Sequence, residues 1–477
     1  MNAVPQYANY IGGQAVTGDD QIEVENPYTG QIIGLAPKLG PEAADRALTS
    51  AKAAQPAWAK RAAADRAAYL AKCAEVIRAN RIELAELLMA EQAKIAPLAQ
   101  VEIDVTATYF DYYAGWARIY EGEIINSDDP QENIFLFQKP IGVAVGICPW
   151  NFPFFVMARK VAPSLLTGCA TVIKPSSTTP LTTLRFAELI QDIGLPDGVL
   201  NFVSGGGGSL GSALVRHPLS DIVSLTGSVE AGSQIIKDSA AKIMKTSLEL
   251  GGKAPAIVFP DADLDLAVKG VTDSRLIFSG QVCNCAERAY VHKDVYPEFM
   301  DKLTAAFEDA QVGDPAAEGV AYSSQVDQAQ LDKISAMVER ARAAGAEVVT
   351  GGAPADLGTG YFYQPTILAG AAQDSEIVQK EVFGPVLPVL EWDDRDQVIA
   401  AANDCEYGLT SSIWTTNVST AMQAVKDLNF GETYVNREHF EGIQGFHAGW
   451  RKSGIGGADG KHGLYEYLQS QAVYIRY

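Results

Sequence analysis

Apolar positions along the chain follow two rhythms. Between residues 41 and 120, Ala, Leu, Glu, Arg and Lys recur at helical spacing, and Pro41 is placed to open the first helix. Around 121–141 that rhythm breaks: Gly122, Asn126, Asp128, Asp129 and Pro130 predict a turn, and Ile134–Gln138 an extended arm. From 141 onward, short apolar runs (142–147, 171–173, 199–203, 222–225 and 256–259) alternate with helix-like segments near 156–168, 181–193, 208–216, 229–240 and 263–278. Such alternation predicts βαβ units and a parallel sheet covered on both faces. A second series, running 289–292, 295–310, 327–344, 347–350, 386–390, 396–403 and 411–414, predicts a second α/β domain. The tail, Glu466–Tyr477, ends in a β-like alternation that could pair with another chain or with the 134–140 arm.

Length and charge narrow the picture. A chain of 477 residues exceeds one core and suits two or three domains. With 37 Lys+Arg against 58 Asp+Glu, the net charge of −21 opposes nucleic-acid phosphate and anionic lipid, so neither partner is expected. No apolar run reaches the roughly 18 residues of a membrane span. Residues 1–10 lack the basic-then-apolar order of a secretion signal. Cysteines at 73, 148, 169, 283, 285 and 405 are too few and scattered for a disulfide framework, and the expected compartment is a reducing cytoplasm.

Two Gly-rich segments compete for a dinucleotide. Gly206-Gly-Gly208-Ser-Leu-Gly211 satisfies G-x-G-x-x-G between a strand-like and a helix-like segment, which would bring a pyrophosphate close to backbone N–H groups. However, no acidic residue follows at the end of the next strand to take a ribose, and a plain βα turn explains the segment as well. Thr226-Gly227-Ser228-Val-Glu-Ala-Gly232 offers a hydroxyl and free N–H groups at a helix start, with Gly232 allowing close packing; an ordinary helix cap is the simpler alternative.

Three further segments carry candidate chemistry. In Ser279-Gly280-Gln281-Val282-Cys283-Asn284-Cys285, Gly280 frees the backbone to expose a thiol that could attack a carbonyl. One residue between Cys283 and Cys285, with no second pair nearby, argues against a metal site, and none is expected. Leu248-Glu249-Leu250-Gly251-Gly252 sets a carboxylate between apolar residues, where desolvation would raise its pKa towards that of a general base. Cys148-Pro149-Trp150-Asn151-Phe152-Pro153 ends a strand in a rigid turn, with an amide suited to donate to an oxyanion. Taken singly, a buried inert Cys, a paired structural Glu and a turn Asn are the plainer readings.

Together the segments are more specific. Pro149-Trp-Asn-Phe-Pro153, Ile173-Lys174-Pro175, Thr226-Gly-Ser228…Gly232, Glu249-Leu-Gly-Gly252, Gly280-Gln-x-Cys283 and Glu381-Val-Phe383-Gly-Pro385 resemble, in order and rough spacing, the aldehyde dehydrogenase superfamily. The resemblance runs from about Asn26-Pro27 to the C-terminus. It implies an α/β fold with a Rossmann-like cofactor domain (1–120 and 142–250), an α/β catalytic domain (251–455) and a β oligomerisation arm (121–141 and 456–477). The implied assembly is a homo-oligomer, dimer or tetramer. By the same resemblance Cys283 is the nucleophile, Asn151 and the Cys283 N–H hold the oxyanion, and Glu249 activates the water that breaks a thioester. Hydrolysis to the free acid is thereby favoured over transfer to coenzyme A. NAD or NADP would lie by Trp150, Gly227, Ser228 and Gly232, with Lys174 at the adenosine ribose and Glu381 and Phe383 at the nicotinamide end.

One departure bears on the cofactor. Strongly NAD-selective members carry Glu three residues after the Lys of Ile-Lys-Pro, and here that position is Ser177. Without the carboxylate, a ribose contact and its repulsion of a 2′-phosphate are both absent, so NADP acceptance is expected. Phe154-Phe155…Arg159-Lys160, Val282–Arg288, 431–441 and 444–454 resemble the branch of the family that acts on lactaldehyde and glycolaldehyde. That implies a small hydroxylated aldehyde facing Arg159, Asn284, Glu441 and His447, because an alkyl chain would leave buried hydrogen bonds unmade. A sugar or anhydro-sugar aldehyde is an alternative, as is a semialdehyde whose distal anion pairs with Arg159. Arg159 could instead be a salt-bridge residue, and Glu441 and His447 could simply order their loop.

Overall fold

The computed structural model describes residues 3–438 and 440–477. His439, within the 431–441 stretch, lies outside the described residues. An eight-stranded sheet has the spatial order 454–455, 245–249, 222–226, 143–147, 170–174, 200–202, 9–11 and 14–16. Its five central strands, Lys245–Glu249, Ile222–Thr226, Val143–Ile147, Ala170–Lys174 and Leu200–Phe202, are parallel. The short strands on both edges run antiparallel.

Sequence alternation explains how this sheet is covered. Val172 joins one apolar cluster, with Leu48, Leu214 and Ile235, while its neighbour Ile173 joins another, with Leu70, Phe110, Phe154 and Phe186. Successive side chains thus enter cores on opposite faces. The helices Pro41–Ala59, Ala63–Ala79, Arg81–Gln92 and Ala96–Gly115 occupy the predicted helical region, with Pro41 in the first turn.

From Val143–Ile147 the chain moves outward through Ala170–Lys174 and Leu200–Phe202. It then crosses back to Ile222–Thr226 on the other side. The reversal opens a crevice beyond the carboxyl ends of Val143–Ile147 and Ile222–Thr226, the usual ligand position in open α/β sheets.

A second, seven-stranded sheet has the order 347–350, 366–369, 386–392, 286–292, 254–258, 410–414 and 432–435, parallel except at its first pair. The expected second α/β unit is present. The pattern had missed Thr366–Ala369, Val418–Asp427 and Glu432–Val435 in it, and the first four strands of the chain.

The tail pairs with the arm of its own chain: Leu468–Arg476 lies antiparallel to Glu132–Pro140, with Leu468 opposite Pro140 and Arg476 opposite Glu132. Two expectations are corrected here. Residues Glu123–Asn126, read as part of a turn, form a third arm strand, and the turn is confined to 127–131. The tail joins the arm only from Leu468; Gly454–Ile455 pairs with Lys245–Glu249 in the first sheet, and Asp459 is fully buried. Among the described residues, no helix is long and apolar enough to cross a membrane.

Candidate active site

The segment before Cys283 is held in an unusual backbone. Phe278, Ser279 and Gly280 all have positive φ, at 46°, 57° and 76°. A side chain on Gly280 would meet the Gly384 carbonyl oxygen at 2.2 Å, so glycine is required there. Left-handed conformations at Phe278 and Ser279 cost about 1–3 kcal/mol each and persist only where surroundings fix them. Those surroundings are visible: Ser279 Oγ donates to the Ser323 carbonyl (2.7 Å), Arg275 Nη2 to the Gly280 carbonyl (2.5 Å), and Gln281 Oε1 accepts from Val326 N–H (2.9 Å).

Past this bend the two cysteines separate. Cys285 is fully buried, accepts from Arg275 Nη2 at 2.9 Å and donates to the Val282 carbonyl; burial pushes its thiol up to about 12. Cys283 is partly exposed and lines a cavity of about 120 Å³. Asn151, Arg159, Asn284, Glu441 and His447 line the same cavity. The rest of its wall is largely apolar, including Val105, Phe152, Phe155, Ile277, Phe440 and Ile443. The cavity is therefore an apolar chamber with a polar patch.

Asn151 follows strand Val143–Ile147 at the crevice. One N–H of its amide donates to the Gln281 carbonyl (3.0 Å), which fixes the side chain. Its backbone carbonyl accepts from Lys94 Nζ (2.7 Å) and Gln92 Nε2 (3.0 Å). Lys94 pairs with Glu102 in full burial, and Glu102 Oε1 takes the Phe154 and Phe155 N–H groups at 3.0 and 3.1 Å. This support lay outside the sequence motifs.

Glu249 ends strand Lys245–Glu249, is buried, and does not line the cavity itself. Thr226, which does, donates to Glu249 Oε2 at 3.1 Å and accepts from Lys160 Nζ at 3.0 Å.

Arg159, on helix Pro153–Thr167, gives Nε to Asp459 Oδ1 (3.1 Å) and Nη2 to Asp459 Oδ2 (2.6 Å), and also pairs with Glu441. Two carboxylates therefore neutralise Arg159, which the sequence offered both as a salt-bridge residue and as partner for a distal anion. Removing one member of so buried a pair costs about 3–5 kcal/mol. Glu441 Oε2 accepts from Asn284 Nδ2 (2.8 Å). His447 Nδ1 lies 3.1 Å from Glu432 and 3.9 Å from Glu441. Burial alone would discharge His447, but Glu441 and Glu432 outweigh it and raise its pKa well above the usual imidazole value. Burial likewise opposes the charge on Glu441, yet Arg159 and His447 hold it down at about 2.

The remaining predicted residues gather along the crevice rather than the cavity. Ser228 caps helix Val229–Ser239, accepting from Ala231 N–H at 3.2 Å. A side chain on Gly232 would meet Leu250 at 2.5 Å, so this helix packs closely on the sheet, and Gly227 forms the turn before it. Lys174 ends strand Ala170–Lys174 buried, and burial lowers its pKa to about 8. Among the described residues no carboxylate pairs with it; its Nζ donates to the Pro175 carbonyl at 3.2 Å. Ser177 Oγ donates to the Gly205 carbonyl at 2.9 Å. Gly207–Gly211 forms one wide turn, closed by Gly211 N–H to the Gly206 carbonyl at 3.2 Å, with Gly207 and Gly208 exposed. Trp150 and Phe383 meet edge to face, 5.4 Å apart. Glu381 accepts from Gly252 N–H at 2.9 Å, and burial pushes it up to about 7. Glu287, absent from the predicted set, fixes this strip by accepting from Val382 and Phe383 N–H at 3.1 Å each.

A partly exposed thiol and a side-chain amide on one cavity wall, and a buried carboxylate reached through Thr226, thus lie at the carboxyl end of the first sheet, a combination that suits an enzyme acting on a carbonyl group. Residues 15–473 match the aldehyde dehydrogenase family, and the chain belongs to it. It is 52% identical over 479 residues to the lactaldehyde dehydrogenase of Escherichia coli (strain K12), with 100% of each chain covered. It is 42% identical over 477 residues to the 3,6-anhydro-alpha-L-galactose dehydrogenase of Vibrio sp. (strain EJY3), covering 99% of each. The crystal structure of lactaldehyde dehydrogenase from Escherichia coli superposes with a TM-score of 0.98 at 51% identity, over 100% of both chains.

Proposed function

We propose that this protein oxidises a small hydroxylated aldehyde of the lactaldehyde/glycolaldehyde type to its carboxylic acid, using NAD or NADP and a thioester on Cys283. The observation that carries the reading is the shared cavity: Cys283 and Asn151 on its wall, with Asn284, Glu441, His447 and Arg159 as its polar patch. Full-length identity of 52% to a lactaldehyde dehydrogenase supports the substrate class.

The Cys283 sulfur adds to the aldehyde carbon, and the developing oxyanion takes the second amide N–H of Asn151 and the Cys283 backbone N–H. The chemistry a nicotinamide supplies when bound is hydride acceptance. Glu249, connected to the cavity through Thr226, takes a proton from the water that attacks the thioester, freeing the acid and the thiol. Glu441, His447 and Asn284 hold the substrate hydroxyls, and the apolar wall excludes bulk water.

The crevice fits a nicotinamide dinucleotide. Lys174 is a buried cation that no carboxylate among the described residues pairs with, and Ser228 heads a helix whose N–H groups suit a pyrophosphate. Trp150, Gly227, Gly232, Glu381 and Phe383 complete this binding strip. Ser177 leaves the ribose end without an acidic side chain, so NADP is accepted alongside NAD. In domain terms, 1–120 with 142–250 holds the cofactor, 251–455 brings the nucleophile, and the arm joins copies into a dimer or tetramer. Ile124, Phe137, Tyr474 and Ile475 are exposed on the arm, as such an interface needs. The expected compartment is the cytoplasm.

The test is a panel of glycolaldehyde, lactaldehyde, succinate semialdehyde and a sugar aldehyde, each with both cofactors. The hydroxyaldehydes should give the highest kcat/KM, with NADP⁺ within about a hundredfold of NAD⁺, or 2.7 kcal/mol. A sugar aldehyde or semialdehyde ranked first overturns the substrate class, and a larger cofactor gap overturns the role of Ser177.

A further inference from the structure

The polar patch of the cavity has a back wall that touches no substrate. Asp459 is fully buried and is not among the cavity-lining residues, yet it holds Arg159 through both carboxylate oxygens. Its Oδ1 also accepts from Tyr109 Oη at 2.8 Å. The Asp459 backbone is left-handed, with φ 72°, and is pinned next door by Gly460 N–H donating to the Ile443 carbonyl at 2.9 Å. A strained, buried acid, tied on three sides, is placed to act on Arg159 and on nothing in solvent.

The charges around Arg159 are three cations, Arg159, Lys160 and His447, against four carboxylates, Asp459, Glu441, Glu432 and Glu249. The patch therefore carries a surplus of negative charge although it contains an arginine. A substrate hydroxyl can donate to Glu441, whereas a distal carboxylate meets Glu441 across a cavity of low dielectric whose lining cations among the described residues, Arg159 and His447, are already paired. Resting on the proposed aldehyde oxidation, we propose that Asp459 is a specificity-setting positioning residue: by neutralising Arg159 from behind, it makes the cavity select neutral hydroxyaldehydes over aldehydes that bear a distal carboxylate.

The test compares kcat/KM for succinate semialdehyde and glycolaldehyde in wild type, Asp459→Asn and Asp459→Glu. In Asp459→Asn the semialdehyde-to-glycolaldehyde ratio should rise at least about tenfold, chiefly through a lower KM for the semialdehyde. Asp459→Glu should restore the wild-type preference. A merely structural role predicts equal losses for both substrates, and an unchanged ratio overturns the proposal. The unmodified enzyme supplies a second measurement that folding cannot confound. Burial holds Asp459 up at about 6, against the opposing pull of Arg159. Glu441 and His447 face the same cluster and keep their charges there, as does Arg159; Tyr109 stays neutral, Glu249 is the other carboxylate acting on Asp459, and Lys160, on the Arg159 helix, is the further cation that feels it. The ratio should therefore climb as pH falls from about 7.5 to about 5.5, and a flat ratio contradicts the proposal. Wild-type enzyme that oxidises neither aldehyde would overturn the underlying activity instead.

Discussion

At the polar end of the Cys283 cavity, polar and charged groups are already joined to one another: Asp459 to Arg159, Arg159 to Glu441, Glu441 to Asn284 and His447 to Glu432. Along the crevice proposed for the nucleotide, Lys174, Ser177 and Ser228 are tied to backbone. Lys174 reaches the Pro175 carbonyl, Ser177 the Gly205 carbonyl and Ser228 the Ala231 N–H. A site wired in this way is rigid and selective, because moving one charge leaves another unpaired. A ledge of backbone-tied groups is adaptable: one side chain can change which nucleotide it takes without collapse. Substitutions in the cavity should therefore damage chemistry, and those in the crevice should retune affinity.

The largest expected effect falls on the cavity. Asn151→Ala removes the proposed oxyanion donor, and kcat should fall by about 10²–10³-fold with KM little changed. A loss confined to KM would place Asn151 in binding rather than in transition-state stabilisation. Next comes the crevice. Ser177→Glu should lower kcat/KM for NADP⁺ on the order of a hundredfold while sparing NAD⁺, through repulsion of a 2′-phosphate. Equal changes for both cofactors would show that Ser177 does not face that position. The smallest effect is a pH dependence. Burial favours neutral Lys174, so its charge is lost as pH rises through about 8. The Kd for NADP⁺ should then weaken by up to about tenfold between about pH 7 and 9. Lys174→Met should flatten that slope, and a parallel slope in the variant would assign the titration elsewhere.

Residues that need a particular side chain beside a special backbone were legible in the sequence. Cys283 follows Gly280, whose φ of 76° no other residue adopts easily; Asn151 sits between prolines; Gly232 leaves room for Leu250. Groups whose role comes from distant packing were not. Asp459 and Tyr109 matter because a tail segment folds back onto helices Ala96–Gly115 and Pro153–Thr167, and no local pattern records that contact. Strand Lys245–Glu249 was missed for a related reason. Its Lys-Thr-Ser-Leu-Glu sequence lacks an apolar alternation, and it is held as a strand by Ile222–Thr226 on one side and Gly454–Ile455 on the other.

The central claim, a thioester formed on Cys283 and hydrolysed with the help of Glu249, is tested most directly by a single-turnover measurement on Glu249→Gln with glycolaldehyde and either cofactor. Reduced cofactor should appear in a burst of one equivalent per active site and then nearly stop, with the acyl group recovered by peptide mass spectrometry on Cys283. Steady turnover without a burst, or the acyl group on Cys285 or another residue, would contradict the account.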